Sequence, residues 1–175
     1  MANTQSMCTS FMSELMLGQH QLGTSTIVSR GSLTAPTTDT VKALLVLASA
    51  TVNASQTNVG TPGTGSPSTS NIGTAEVSGT GYTAGGVTVT NATTPTSTNS
   101  SSTAGVAYWT PSASITYTTV TLGTAFDTVV LYNSTQSGKT ISVHTFGSQT
   151  ITAGTFTLTM PSNTTTTALI RLATT

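Results

Sequence analysis

From Ala104 onward the chain is a succession of strand-length segments divided by turn residues: Ala104–Trp109, Ser114–Leu122, Phe126–Tyr132, Thr140–Phe146, Thr150–Ala153, Thr155–Met160 and Ala168–Leu172. Ser134 to Gly138 reads as a hairpin connector, and Phe146-Gly147-Ser148 and Ala153-Gly154 read as tighter breaks. Short strands at regular spacing point to a sandwich or barrel. The same grammar appears earlier in EVSGTGYTAGGVTVT, Glu76 to Thr90. Gly79, Gly81 and the Gly85-Gly86 pair suit turns, and Val87 and Val89 then alternate with Thr88 and Thr90 as in a half-buried strand. The expected fold is all-β, an antiparallel β-sandwich or jelly-roll-like domain with a short N-terminal α-helix.

That helix is expected within an N-terminal segment, residues 1–22. Phe11, Leu15 and Gln19 share a face, with Met12 and Met16 beside them. Thr9 or Ser10 can cap it and Gly18 or Gly23 can end it. About three turns of helix are marginal alone in water, so it needs a surface, either its own sheet or a neighbouring subunit.

Residues 23–175 read as one sandwich domain. Within the polar connector 23–38, Thr26-Ile27-Val28 suits a short strand before Arg30-Gly31, and Pro36 stops pairing. VKALLVLASATV, Val41 to Val52, is apolar on both faces and fits a covered strand or a buried helix. The flanking Thr residues favour the strand. Residues 53–75 and 91–103 are long Thr/Ser/Gly-rich loops, surface features able to meet a partner. The core is expected from Val41, Leu45, Leu47, Val87, Val89, Trp109, Ile115, Val120, Val129, Leu131, Val143, Phe146, Phe156, Leu158, Leu169 and Ile170, with Trp109 as its anchor.

Charge narrows the function classes. Only 5% of residues are charged, with Lys+Arg and Asp+Glu at 4 each. No basic patch can be assembled for a phosphate backbone, so no nucleic-acid partner is expected. No apolar run is long enough for a membrane helix, and 5% aromatics cannot furnish barrel girdles, so no membrane partner is expected either. An uncharged surface repels itself weakly, which suits a homo-oligomer or an assembly subunit. The single Cys8 excludes an intramolecular disulfide. The first residues lack a basic signal-peptide region, so synthesis in a cytoplasm is expected.

Catalytic, cofactor and metal residues are all read as absent. Ser, His and Asp all occur, with His20 and His144 the two histidines and Asp127 a possible partner of His144, but no activated-serine turn accompanies them. Glu76 with Asp127 would be the glycosidase-like carboxylate pair. Simpler roles suit both: Glu76 opens a turn, and Asp127 pairs with Lys139 or Arg171 or caps a loop. Cys8, His20 and His144 show no metal-ligand spacing. Thr83 to Gly86, TAGG, lacks the ending of a phosphate loop. The sequons at Asn53, Asn91, Asn133 and Asn163 are expected by chance in such a composition.

Several motifs, read in order, resemble a known family. They are CTSFMSELMLGQH from Cys8 to His20, Asp39-Thr40-Val41-Lys42-Ala43-Leu44, EVSGTGYTAGGVTVT from Glu76, and VVLYNSTQSGKTISVHTFGSQTITAGTFTLTMP from Val129 to Pro161 with the ending ALIRLA. Together they resemble small structural proteins of tailed bacteriophages. The resemblance implies a virion component without enzymatic activity or cofactor, made in the bacterial host cytoplasm. Its partners would be other virion proteins, either the major capsid protein or tail proteins. The role it suggests first is capsid decoration, cementing the head by bridging shell subunits. The alternative is a tail tube, adaptor or fibre-base subunit, or a host receptor-binding module.

Overall fold

The computed structural model describes residues 3–16, 18–23, 37–90, 93–98 and 105–173. The strand expected at Thr26-Ile27-Val28, the sequon at Asn91 and much of the 91–103 tract lie outside them. The described chain forms two antiparallel sheets and one short helix, consistent with a β-sandwich. The larger sheet has the order β1-β7-β6-β2-β3 and the smaller β4-β5-β8. Their ranges are β1 Ser6–Met7, β2 Val41–Leu47, β3 Val87–Thr88, β4 Thr96–Ser97, β5 Val106–Trp109, β6 Ile115–Asn133, β7 Lys139–Leu158 and β8 Ile170–Ala173. Trp109 and Ile170 from the small sheet share one core with Val41, Leu45 and Leu131 from the large one.

The N-terminal helix, α1, spans Thr9–Met16, shorter than the three turns expected. The chain is extended at Ser6–Met7, where it pairs with Val143 and Ser142, and only then turns helical. Gly18, at φ 69°, ends it, so Gln19 lies beyond the helix. Phe11 and Cys8 are fully buried in the domain's own core. The helix therefore has its surface within the same chain, and Met12 remains exposed.

The chain turns at residues 48–50, so the run expected as a strand from Val41 to Val52 is a strand only over Val41–Leu47, buried on both faces. It pairs along its length with Phe126 to Asn133 of β6. Burial on both faces also holds for that half of β6, which is why the core includes residues the alternation pattern left out: Leu44, Val46, Val130 and Tyr132. Of the expected core residues, Leu47, Val87, Phe146, Leu158 and Leu169 are half-buried and the rest buried.

The C-terminal half differs from expectation in strand length. The segments expected at Ser114–Leu122 and Phe126–Tyr132 are one strand, β6, and those expected from Thr140 onward are one strand, β7, which ends at Leu158. Phe146-Gly147-Ser148 and Ala153-Gly154 do not end strands; they lie at shifts of register. Extra residues fall on β6 at Thr118–Thr119 and Gly123–Ala125, and on β7 at Thr152–Ala153 and Phe146–Ser148. An insertion on one strand offset by an insertion on the other restores pairing, so the ladder continues through bulges that twist it. Thr119 and Ala153 take positive φ, 53° and 46°, at two of these points. The Ser134 to Gly138 connector is the hairpin turn, as expected, with Ser137 and Gly138 at positive φ.

Residues 53–75 are less loop-like than their composition suggests. Val59 and Ile72 are buried, Gly73–Ala75 is a turn of 3-10 helix, and Val59 N–H donates to the Gly138 carbonyl. Thr140 donates from its amide to Thr57 and from its hydroxyl to Gln56. The segment is thus tied to the start of β7, while its middle, Gly60 to Ser70, is mostly exposed.

Candidate functional site

The Glu76–Thr90 stretch closes the outer edge of β2. Val77 N–H donates to the Leu45 carbonyl and Val89 N–H to that of Val41. Between them Tyr82 reaches the strand: its hydroxyl accepts from Leu45 N–H at 3.0 Å and donates to Glu76 Oε1 at 2.7 Å. The same Oε1 accepts from Gly85 N–H at 2.7 Å. Tyr132 donates to the Gly85 carbonyl and Tyr117 to that of Ala43. Gly86, at φ 68°, lies so close to β2 that a Cβ would overlap the Ala43 carbonyl oxygen. Tyr82 stacks on Tyr117 with centroids 5.9 Å apart, and Tyr117 continues to Phe156, Phe126 and Phe146.

Glu76 is 4% exposed, and its Oε2 is enclosed without a hydrogen-bond partner. Burial pushes its carboxyl up, against the opposing pull of Tyr82, the Gly85 and Gly63 amides and Lys42. Burial, with the Glu76 charge added, likewise raises the Tyr82 and Tyr117 hydroxyls, and Tyr132 rises to about 12. None of these phenols is a base near neutral pH.

A second network joins the N-terminal segment to the hairpin turn. His20 Nε2 meets Glu14 Oε2 at 2.7 Å, and Lys139 Nζ meets Glu14 Oε1 at 2.8 Å. The Asn133 amide donates to His20 Nδ1 at 3.0 Å and to Asp39 Oδ2 at 2.6 Å, while its Oδ1 accepts from Gln136 N–H. Gln21 N–H also donates to Asp39. Burial raises the Glu14 carboxyl, but the hydrogen bonds from Lys139 and His20 outweigh it and the net shift is downward. Sequence spacing offered no sign of this cluster, because its members come from three stretches far apart in the chain, the N-terminal segment, Asp39 and the hairpin turn. Both ring nitrogens of His20 are engaged, leaving none to activate a nucleophile.

The residues weighed for chemistry are spent elsewhere. His144 Nε2 meets Ser142 Oγ at 2.8 Å, and burial lowers its pKa to about 4. Asp127 accepts from Asn3 Nδ2 and Thr128 Oγ1, both at 2.7 Å, so the pairing with Lys139 or Arg171 that the sequence suggested is not made. His144 and Asp127 therefore form no hydrogen bond with each other, and Glu76 and Asp127 belong to separate networks. Cys8 is buried, which raises its thiol. Among the described residues no group of three His, Cys, Asp or Glu side chains converges as a metal site. No helix among them is long and apolar enough to cross a membrane. Asn133 is fully buried, which removes it as a sugar acceptor.

Trp109 is 1% exposed and its indole N–H donates to the Thr93 carbonyl at 3.0 Å, as a core anchor requires. Beside it a cleft of about 290 Å³ lies between the Leu15–Gly23 segment and the small sheet, lined by Leu22, Pro95, Ala107, Trp109 and Leu172. The cleft is mostly apolar and carries no convergent set of polar groups.

The charges are distributed unusually. Glu14, Asp39 and Glu76 are buried, Asp127 is half-buried, and Lys42 and Lys139 are half-buried. Arg171 is the one exposed charged residue among those described. Among the described residues, fold and site together define a β-sandwich with a nearly uncharged, hydroxyl-rich exterior and most of its ionic groups turned inward. The chain matches no family model, no curated protein and no solved structure.

Proposed function

We propose that this chain is a non-enzymatic structural protein of a bacteriophage virion, a decoration or cement subunit that bridges neighbouring shell subunits. The observation that carries this reading is the exterior: threonine, serine and glycine with almost no charge. Such a face repels neither copies of itself nor a neighbour, and hydrogen-bonding hydroxyl surface can be buried across many weak contacts multiplied by copy number. The motifs that resemble the phage family support it too, since their residues are spent on architecture. Glu76, Tyr82, Gly85 and Gly86 fasten a strand edge, and Cys8 and Phe11 fill the core.

The second reading is a tail subunit or a receptor-binding module, favoured by the exposed stretch from Gly60 to Ser70. Copy number separates the two. Purified particles from cells expressing this chain should contain it in many copies, at a fixed ratio to the major shell protein. A handful per particle points to a tail adaptor or fibre base. Absence from the particles sinks both.

A further inference from the structure

The two edges of the large sheet are treated oppositely. The β2 edge is closed by backbone bonds from Val77 and Val89, by the Tyr82 hydroxyl and by the close approach of Gly86. The β7 edge is closed only at its start. Ser6 and Met7 pair with Val143 and Ser142, Cys8 N–H donates to the Ile141 carbonyl, and Thr140 N–H donates to Thr57. From His144 to Leu158 no described backbone bond reaches the outer side of β7.

A bare edge is a template for another strand, and proteins usually guard it with lysine, proline or bulges. Thr145 to Leu158, TFGSQTITAGTFTL, contains no charged residue and no proline. Its bulges lie at Phe146–Ser148 and Thr152–Ala153. Beyond them Phe156, Thr157 and Leu158 pair in regular register with Tyr117, Thr116 and Ile115, and the one shift between Gly154 and Phe156 is an insertion on β6, leaving β7 itself without a bulge from Gly154 to Leu158. There Phe156 points into the core, while Thr155 and Thr157 are exposed.

We infer that the Gly154–Leu158 edge of β7 pairs antiparallel with the same edge of a second copy, joining two large sheets into one. An uncharged edge meets its own copy without like-charge repulsion. The opposite edge of the sheet is closed, so edge pairing ends at a two-fold dimer and cannot propagate as an open array. Half-buried Leu158 lies within this edge and adds some apolar area beside the main-chain bonds. This deepens the self-association in the proposed function, but it is tested with the chain alone, so the two stand or fall separately.

The test is the mass of the full chain in solution across a concentration series, by light scattering or sedimentation. Wild type should be a dimer that dissociates on dilution. The double variants T155K/T157K and T155E/T157E, each checked for a wild-type melting transition, should each weaken self-association at least about tenfold through like charge at the pairing edge. Mixing the two should restore a dimer containing one copy of each. A wild type that stays monomeric at every concentration overturns the proposal, as does a dimer indifferent to both charge changes. A monomer that gains mass only with a shell subunit present overturns it as well, by giving this edge a different occupant.

Discussion

The Tyr82 hydroxyl donates to Glu76 Oε1 at 2.7 Å while accepting the Leu45 N–H of β2 at 3.0 Å. One phenol thus joins a buried carboxylate to the backbone of a central strand, six residues along the chain from the carboxylate and thirty-seven from the strand. Tyr82→Phe keeps the ring on Tyr117 but removes both bonds. It leaves a buried N–H without a partner and Glu76 with one donor fewer. The expected loss is about 2 kcal/mol, read from urea unfolding. An unchanged midpoint would show that the edge is held by the Val77 and Val89 bonds alone.

Glu76→Gln should gain stability relative to wild type as pH rises. Burial raises the folded-state pKa of Glu76 above its unfolded value. Its contribution is therefore fully present below the unfolded pKa and is lost as pH rises through the folded pKa. The substituted amide keeps an acceptor for Tyr82 and Gly85 and does not ionise. The stability of the variant relative to wild type should grow as pH rises above the ordinary carboxylate range, in thermal melts at matched ionic strength. A constant difference would mean that Glu76 is not raised.

His144 works in the other direction. Its pKa is lowered to about 4 by burial, so between about 6.5 and 4 the unfolded chain binds a proton that the folded one refuses. Stability should fall on acidification through that window by about 2 kcal/mol, allowing for partial exposure. His144→Gln, which still offers Ser142 an acceptor, should flatten that part of the profile. A wild-type imidazole that leaves the curve level from about pH 6.5 to 4.5, in a Glu76→Gln background, would contradict its being buried and neutral.

Asn133 divides its amide hydrogens between His20 and Asp39. Asn133→Ala strips partners from both and should cost about 3 kcal/mol. Asn133→Asp sets an oxygen against the Asp39 carboxylate, with Glu14 beyond His20, and should cost more at neutral pH than near about pH 4. Equal cost at both pH values would mean that Lys139 neutralises the cluster unaided.

Glycine position matters more than glycine number. Gly86→Ala forces a side chain onto the Ala43 carbonyl at positive φ and should cost about 3 kcal/mol or more, or abolish folding. Gly147→Ala, with open space around it at a β7 bulge, should change stability by less than about 0.5 kcal/mol. Soluble yield and melting temperature of the pair decide it.

Much of this was legible in the residues. The alternation of Val87 with Thr88, the apolar run from Val41 and the turn at Ser134 to Gly138 are local signals, and each lies where local chemistry puts it. Trp109 followed from size and apolarity alone. The strand breaks misled because a Gly or an Ala-Gly pair signals departure from regular geometry without saying whether the ladder resumes. At Phe146-Gly147-Ser148 it resumes because β6 supplies a compensating insertion at Gly123 to Ala125, which only the partner strand reveals. The Glu14–His20–Asn133–Asp39 network was invisible for a related reason: hydrogen bonds spanning up to 113 residues leave no periodicity.

Residue identity was enough to establish that this protein is built of strands and that its exterior is nearly uncharged, because β-branched alternation and scarcity of ionisable residues act position by position. Three outcomes were settled only by the folded chain: which ionic groups are enclosed, how long the central hairpin runs, and which sheet edge is sealed. Those outcomes depend on register and on partners distant in the chain, and a strand cannot encode in its own residues which neighbour will reach it.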